Sequence, residues 1–148
     1  MVELGNGNII VGRSDEYHLR IMSPEYELLG EINRDIAPPP VTDAHKEEYF
    51  ASFERGGQAG LSPAMKNAMK FPRNKPYFDD IVVDWEGNIL VRWSEPVDEV
   101  PVYDVFDPAG GFIGRVSIDG ISVGAVFRDG SVYCRYTEED ELPKIRRY

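Results

Sequence analysis

The residues best placed to do chemistry are two adjacent carboxylates, Asp79 and Asp80, at the start of an apolar run. Carboxylates can bind a cation or act as general acid and base. Ile81, Val82 and Val83 follow them, and such consecutive apolar positions are typical of a strand covered on both faces. Neighbouring acids at the start of a strand are most often solvated, so a ligand role and a solvated strand end are both open.

Other candidate chemistry is weaker. Asp43 and His45 form a D-x-H pair, but that spacing suits ligation from neither a strand nor a helix, and a solvated helix start explains it better. His18 lies within a predicted strand, and no serine has a histidine at a plausible partner position. The glycine-rich segment 56–60 follows no strand and lacks the lysine of a phosphate loop. The sequence therefore predicts no catalytic residue, no metal and no cofactor.

An internal repeat predicts the elements that position these residues. Ser23-Pro24 recurs as Asp107-Pro108, and Gly30 recurs as Gly114, both at an offset of 84 residues. Strand-and-turn units that recur at a spacing of roughly 40 residues are typical of β-propeller blades. The repeat also includes three segments that share a glycine turn, a small polar residue and an apolar strand: 7–13, 87–93 and 130–136.

The predicted fold is all-β, a partial propeller of about two and a half to three four-stranded antiparallel blades with a two-helix insertion, in one domain. The first blade, about 1–33, begins with a short or missing innermost strand, and the third, about 119–148, lacks one strand. The second blade, about 76–118, is complete. A closed sandwich is the alternative, in which case the repeat would be accidental.

The insertion, about 34–75, breaks the β pattern. The prolines at 38–40 cannot lie inside a sheet, because proline removes ladder donors. Thr42 or Asp43 can cap a first helix, and Ser62-Pro63 can open a second that extends to Met69. We therefore expect two helices within about 42–70.

Three motifs carry a family resemblance: the segment 83–91 (VDWEGNILV), the segment 104–108 (DVFDP) and the closing segment 144–148 (KIRRY). Over about 76–148 the chain resembles the C-terminal half of bacterial six-bladed β-propeller proteins of the NHL-like group. That family includes binding scaffolds, lactone hydrolases and lyases. The chain departs from it in holding too few blades and in lacking the dispersed Glu, Asn and Asp metal ligands of the lactonase-like branch.

Strand ends give the candidate ligand-binding surface. In a propeller the end of each second strand and the start of each first strand reach the same rim. Arginine and aromatic side chains are strong contact residues at interfaces. The alternative is that Trp93 and Tyr136 only fill the space between blades. The predicted rim consists of Tyr77, Phe78, Asp79, Asp80, Arg92 and Trp93 from the second blade, Arg13 from the first, and Arg135 and Tyr136 from the third.

Charge and composition limit the partners. The net charge of −10 disfavours nucleic acid, because phosphates would be repelled. No apolar run is long enough for a membrane span, and the first residues lack a secretory signal, so a cytoplasmic location is expected unless a leader was removed.

The sequence favours a non-catalytic binding or interaction module with a small-molecule or protein ligand. A lactonase-type hydrolase or lyase that uses Asp79 or Asp80 is the first alternative. The second is a C-terminal fragment of a longer propeller without independent function. Because an arc of about three blades leaves apolar faces and strand edges uncovered, we expect a homodimer, with two arcs forming a ring of about six blades.

Overall fold

The chain folds mainly as antiparallel β-sheet. The computed structural model describes residues 1–4, 6–55, 60–96, 100–118, 125–128, 131–136 and 144–147. The first sheet has the order β1-β2-β3-β4, the second β5-β6-β7-β8, and the third, within the described residues, β11-β10-β9. The strands of the first sheet are β1 (Val2–Glu3), β2 (Ile9–Arg13), β3 (His18–Met22) and β4 (Leu28–Asn33). Those of the second sheet are β5 (Phe78–Val83), β6 (Ile89–Trp93), β7 (Val102–Phe106) and β8 (Phe112–Ser117). Those of the third sheet are β9 (Ala125–Arg128), β10 (Ser131–Tyr136) and β11 (Lys144–Arg147).

The coarse fold prediction is confirmed, since the described chain is mostly β with two helices, α1 (Asp43–Arg55) and α2 (Pro63–Ala68). The strand before the first hairpin is short, with two residues in β1. The second helix ends at Ala68, one residue earlier than predicted.

The chain divides into two compact units, one formed by 1–37 with 76–148 and the other by 38–75. In the second unit, α1 begins with a reciprocal cap, in which the Thr42 N–H donates to His45 Nδ1 (3.1 Å) and the His45 N–H to Thr42 Oγ1 (3.4 Å). Ser62 caps α2 by accepting the Met65 N–H, and Pro63 takes the first helical position.

The repeat recurs in backbone detail. The strands β7 and β8 lie 84 residues after β3 and β4, and the register shift at Ile21/Met22 recurs at Val105/Phe106. The connecting turns are also equivalent, since the Ser23 N–H donates to the Glu27 carbonyl and the Asp107 N–H to the Gly111 carbonyl, both at 2.8 Å. The first two sheets are therefore two copies of one structural unit.

Each copy has two distinct faces. We define the back face of the first sheet as the side that carries Ile10, Leu19 and Ile21. The equivalent side of the second sheet carries Leu90 and Tyr103, and we call it the back face of that sheet. We call "front face" the opposite side, which carries Ile89, Val91 and Phe106 on the second sheet. The back face of the first sheet and the front face of the second share one buried core, while Leu90 and Tyr103 belong to another. The second sheet is therefore apolar on both sides, as the consecutive apolar residues predicted.

Candidate functional site

The second-sheet residues of the predicted rim lie at one end of β5 and β6. Phe78 pairs with Trp93 and Asp80 with Arg92. The register shift between Phe78 and Asp80 leaves Asp79 without a partner in the ladder, and bulges of this kind re-aim a side chain. The same end touches the first sheet, because the Tyr77 N–H donates to the Ser14 carbonyl at 2.7 Å.

Asp79 and Asp80 border a cavity of about 460 Å³ between the first two sheets. Asp79 Oδ1 accepts a hydrogen bond from Arg92 Nε at 2.6 Å, and about half of its side chain is exposed. Asp80 Oδ1 accepts the N–H of Ile81, within the same strand. Burial lowers the pKa of Arg92, but the bond to Asp79 and the charges of both aspartates raise it overall. Arg92 pairs with Asp79, and both charged side chains that line the cavity are carboxylates.

Residues of the first sheet also line the cavity at Asp79 and Asp80. Gly12 and Ser14 line the same cavity, and a Cβ added to Gly12 would lie 3.2 Å from Phe78. Arg13 is exposed and pairs with Asp15 at 2.6 Å. It lines a neighbouring cavity of about 240 Å³ together with His18 and Arg20. Of the predicted rim, Arg135 and Tyr136 lie in β10, where side chains are outside the described part of the structure.

Trp93 points into the space between the two sheets. Its indole Nε1 donates to Asp104 Oδ2 at 2.8 Å, and its ring lies 6.4 Å from that of Tyr17. Trp93 thus packs between the two sheets, and its contact with a ligand stays a prediction.

Asp104 is the centre of a polar network that the sequence analysis did not identify. Its side chain is fully buried. Tyr17 Oη donates to Oδ2 at 2.9 Å, and Arg115 Nε donates to Oδ1 at 2.8 Å. Arg34 Nη1 lies 2.7 Å from Oδ2 as an ion pair. Two of these partners, Tyr17 and Arg34, come from the first sheet and its end, so the network joins the two copies.

Aromatic rings enclose this network. The Arg34 guanidinium lies 4.2 Å from the centre of the Phe112 ring, and that of Arg115 lies 4.6 Å from the Trp93 ring. The faces of aromatic rings attract cations, so both arginines are held on two sides.

The ionisation of the network follows from its donors. Burial raises the pKa of Asp104, but hydrogen bonds from Arg115, Trp93 and Tyr17 outweigh this, so the pKa lies below its usual range. Burial, followed by the charge of Asp104, raises the pKa of Tyr17. The carboxylate is therefore charged and the phenol neutral near neutral pH, which suits an interface contact and not proton transfer.

The signal that could have revealed the network is the sequence Val102-Tyr103-Asp104-Val105-Phe106. A single charge inside an otherwise apolar strand either faces solvent or is paired in the interior. Its partners could not be identified in the same way, because Tyr17 and Arg34 are distant in sequence.

The other sites considered from the sequence have structural roles. His45 caps α1, and Asp43 pairs with Lys46 at 2.6 Å. Within the described residues, no group of three or more His, Cys, Asp or Glu side chains is arranged to hold a metal. Neither described helix has the length and apolar character needed to cross a membrane. In comparisons with known proteins, the chain matches no family model and no curated protein.

Proposed function

We propose that the chain is a propeller-type binding or interaction module without catalytic activity, of the NHL-like kind. The observation that carries this is the stacking of two equivalent sheets, the back face of one against the front face of the next. Sheets that stack repeatedly in this sense form the blades of a propeller. The distance from Gly30 to the 107–111 turn supports the same stacking, since a Cβ added there would lie 3.4 Å from the Ala109 carbonyl.

The front face of the first sheet is then an interaction surface. Its residues Val11, Arg13 and Arg20 are exposed. Val11 is 41% exposed, whereas its equivalent on the second sheet, Val91, is fully buried. A repeat buries such a face only against a neighbouring repeat. We infer that a sheet of a second copy covers it, so that two chains form a homodimeric ring of about six blades.

The cavity at Asp79 and Asp80 is the proposed ligand site. β1 and β5 are the first strands of their sheets, and in a propeller the first strands line the central channel. The two carboxylates of the wall favour a small ligand with a cationic amine or guanidinium group. Pockets for small molecules have volumes of roughly 300–1,000 Å³, and this cavity lies within that range.

A titration with agmatine, followed by amide NMR shifts, tests this site. We expect shifts at residues that line the cavity and a dissociation constant weakened about tenfold or more in Asp80→Asn. The matched control is Asp35→Asn, because Asp35 is exposed and does not line the cavity.

Unchanged binding in Asp80→Asn, or no shifts with agmatine, would contradict a cationic ligand here. A metal that copurifies with the protein and is lost in Asp79→Asn would favour the hydrolase or lyase alternative instead.

A further inference from the structure

The unit formed by 38–75 differs in charge from the rest of the chain. It carries six basic and four acidic residues, whereas the whole chain has 16 basic and 26 acidic residues. The excess of positive charge is therefore confined to this unit. An anion repelled by the rest of the protein surface would meet its most favourable potential here.

This unit contains a cavity of about 440 Å³, open to solvent, that combines cations with aromatic rings. Such a combination is typical of a site for an organic anion, because the cations bind the charge and the rings bind the apolar part. Its chemistry-bearing lining consists of Lys46, Lys66, Arg73, Phe50, Phe71 and Met69.

The rings are held in place by contacts within the unit. Phe50 and Phe71 meet edge to face, with ring centres 5.6 Å apart. Tyr49 packs against both, at 6.0 Å and 5.4 Å, so three aromatic side chains support each other. The segment with Arg73 is tied to the start of the unit by the Val41 N–H, which donates to the Arg73 carbonyl at 3.0 Å. The aromatic wall is thus preformed.

Three cationic side chains line the same cavity as these rings. Lys66 Nζ lies 5.2 Å from the centre of the Phe50 ring. Lys46 Nζ is paired with Asp43, whose side chain is 90% exposed, and exposed pairs of this kind contribute little and exchange readily. Within the part of the chain that the structure describes, the Arg73 guanidinium has no ion-pair partner. Arg73 is therefore available to an incoming anion.

We propose that this cavity binds a small organic anion with an aromatic ring, of the aryl phosphate or aromatic carboxylate class. The anionic group pairs with Arg73 and Lys66, and the ring packs against Phe50 and Phe71. A guanidinium and an ammonium that line one cavity suit a phosphate or carboxylate, since both donate charge-assisted hydrogen bonds. This site is independent of the cavity at Asp79 and Asp80.

The test uses three probes on the full chain, followed by calorimetry and amide NMR shifts. Phenyl phosphate carries both features, inorganic phosphate only the charge, and phenol only the ring. We expect phenyl phosphate to shift the amides around Phe50 and Phe71, and to bind about tenfold or more tightly than either of the other probes.

Variants locate the site. Lys66→Gln should weaken phenyl phosphate about fivefold or more, and Arg73→Gln at least as much. Lys70→Gln is the matched control, because Lys70 is exposed in the same unit but does not line the cavity. All three positions are at the surface, so each variant should fold. Dispersed NMR spectra will check this.

An equal loss in Lys70→Gln would overturn the proposal, because it would reveal only diffuse attraction by positive charge. Equal affinity for inorganic and phenyl phosphate, or no binding of phenyl phosphate at millimolar concentration, would overturn it as well.

Discussion

The first and second sheets place a charged pair at the same position, with the charges exchanged. Arg20 on β3 faces Glu31 on β4, with Nε 3.4 Å from Oε1. At an offset of 84 residues, Asp104 on β7 faces Arg115 on β8, with Nε 2.8 Å from Oδ1. The two pairs differ in what covers them, since Arg20 is 58% exposed and Asp104 is fully buried.

The comparison shows that neighbouring structure, and not the repeat itself, decides the role of a position. Asp104 is covered by Tyr17 and Arg34, which the first sheet supplies. Within the described residues, nothing plays that part for Arg20. In the single chain, the same ladder position is thus a buried junction in one copy and part of an exposed surface in the other.

Truncation of the acid in each pair tests this difference between the two sheets most strongly. Asp104→Ala leaves two arginines without their counter-ion, and a phenol and an indole without their acceptor. It should lower the free energy of unfolding by about 3–5 kcal/mol. Glu31→Ala is the matched control and should cost about 0–1 kcal/mol at protein concentrations low enough for the chain to be monomeric, because the pair is exposed in the single chain. Urea denaturation measures both, and similar losses in the two variants would contradict the assigned roles.

The pH dependence of stability should show the effect of the buried Asp104 carboxylate. The pKa of Asp104 is lowered in the folded state, so its charge stabilises the fold above the unfolded-state value of about 3.9, and this contribution is lost as the pH falls below it. Between about pH 6 and about pH 3, the free energy of unfolding should therefore fall more in the wild type than in Asp104→Asn. Thermal unfolding across that range measures the difference, and parallel curves would refute a lowered pKa.

Substitutions in the two connecting turns should change the stability of the protein in opposite directions. Tyr26 has a φ of 66°, in the left-handed region, where its equivalent Gly110 has a φ of 92°. Tyr26→Gly should stabilise the protein by about 0.5 kcal/mol, because it relieves backbone strain. Gly110→Ala should destabilise it by about 1–2 kcal/mol, since the new Cβ would also lie 3.1 Å from Ile32 Cγ1. Changes of the same sign in both turns would contradict their equivalence.

The strands could be predicted from the sequence because each glycine turn and the apolar strand after it are local signals. Glycine turns at Gly7 and Gly87 need a positive φ, which they adopt at 84° and 86°, and apolar strands follow both. The junction was not predictable in this way. Repeat-equivalent residues have opposite charges there, and contacts such as Tyr17 with Asp104 join residues far apart in sequence. The cavities depend on such long-range packing too, so the sequence indicated Asp79 and Asp80 but not the space beside them.

Sedimentation equilibrium tests the central claim, that a second copy covers the front face of the first sheet. At micromolar concentration the wild type should have twice the 16.7 kDa mass of one chain. Val11→Glu should give the single-chain mass, because it places a charge in the centre of the covered face, while Lys70→Glu should remain dimeric. A monomeric wild type, or a dimer that Val11→Glu leaves intact, would contradict the account.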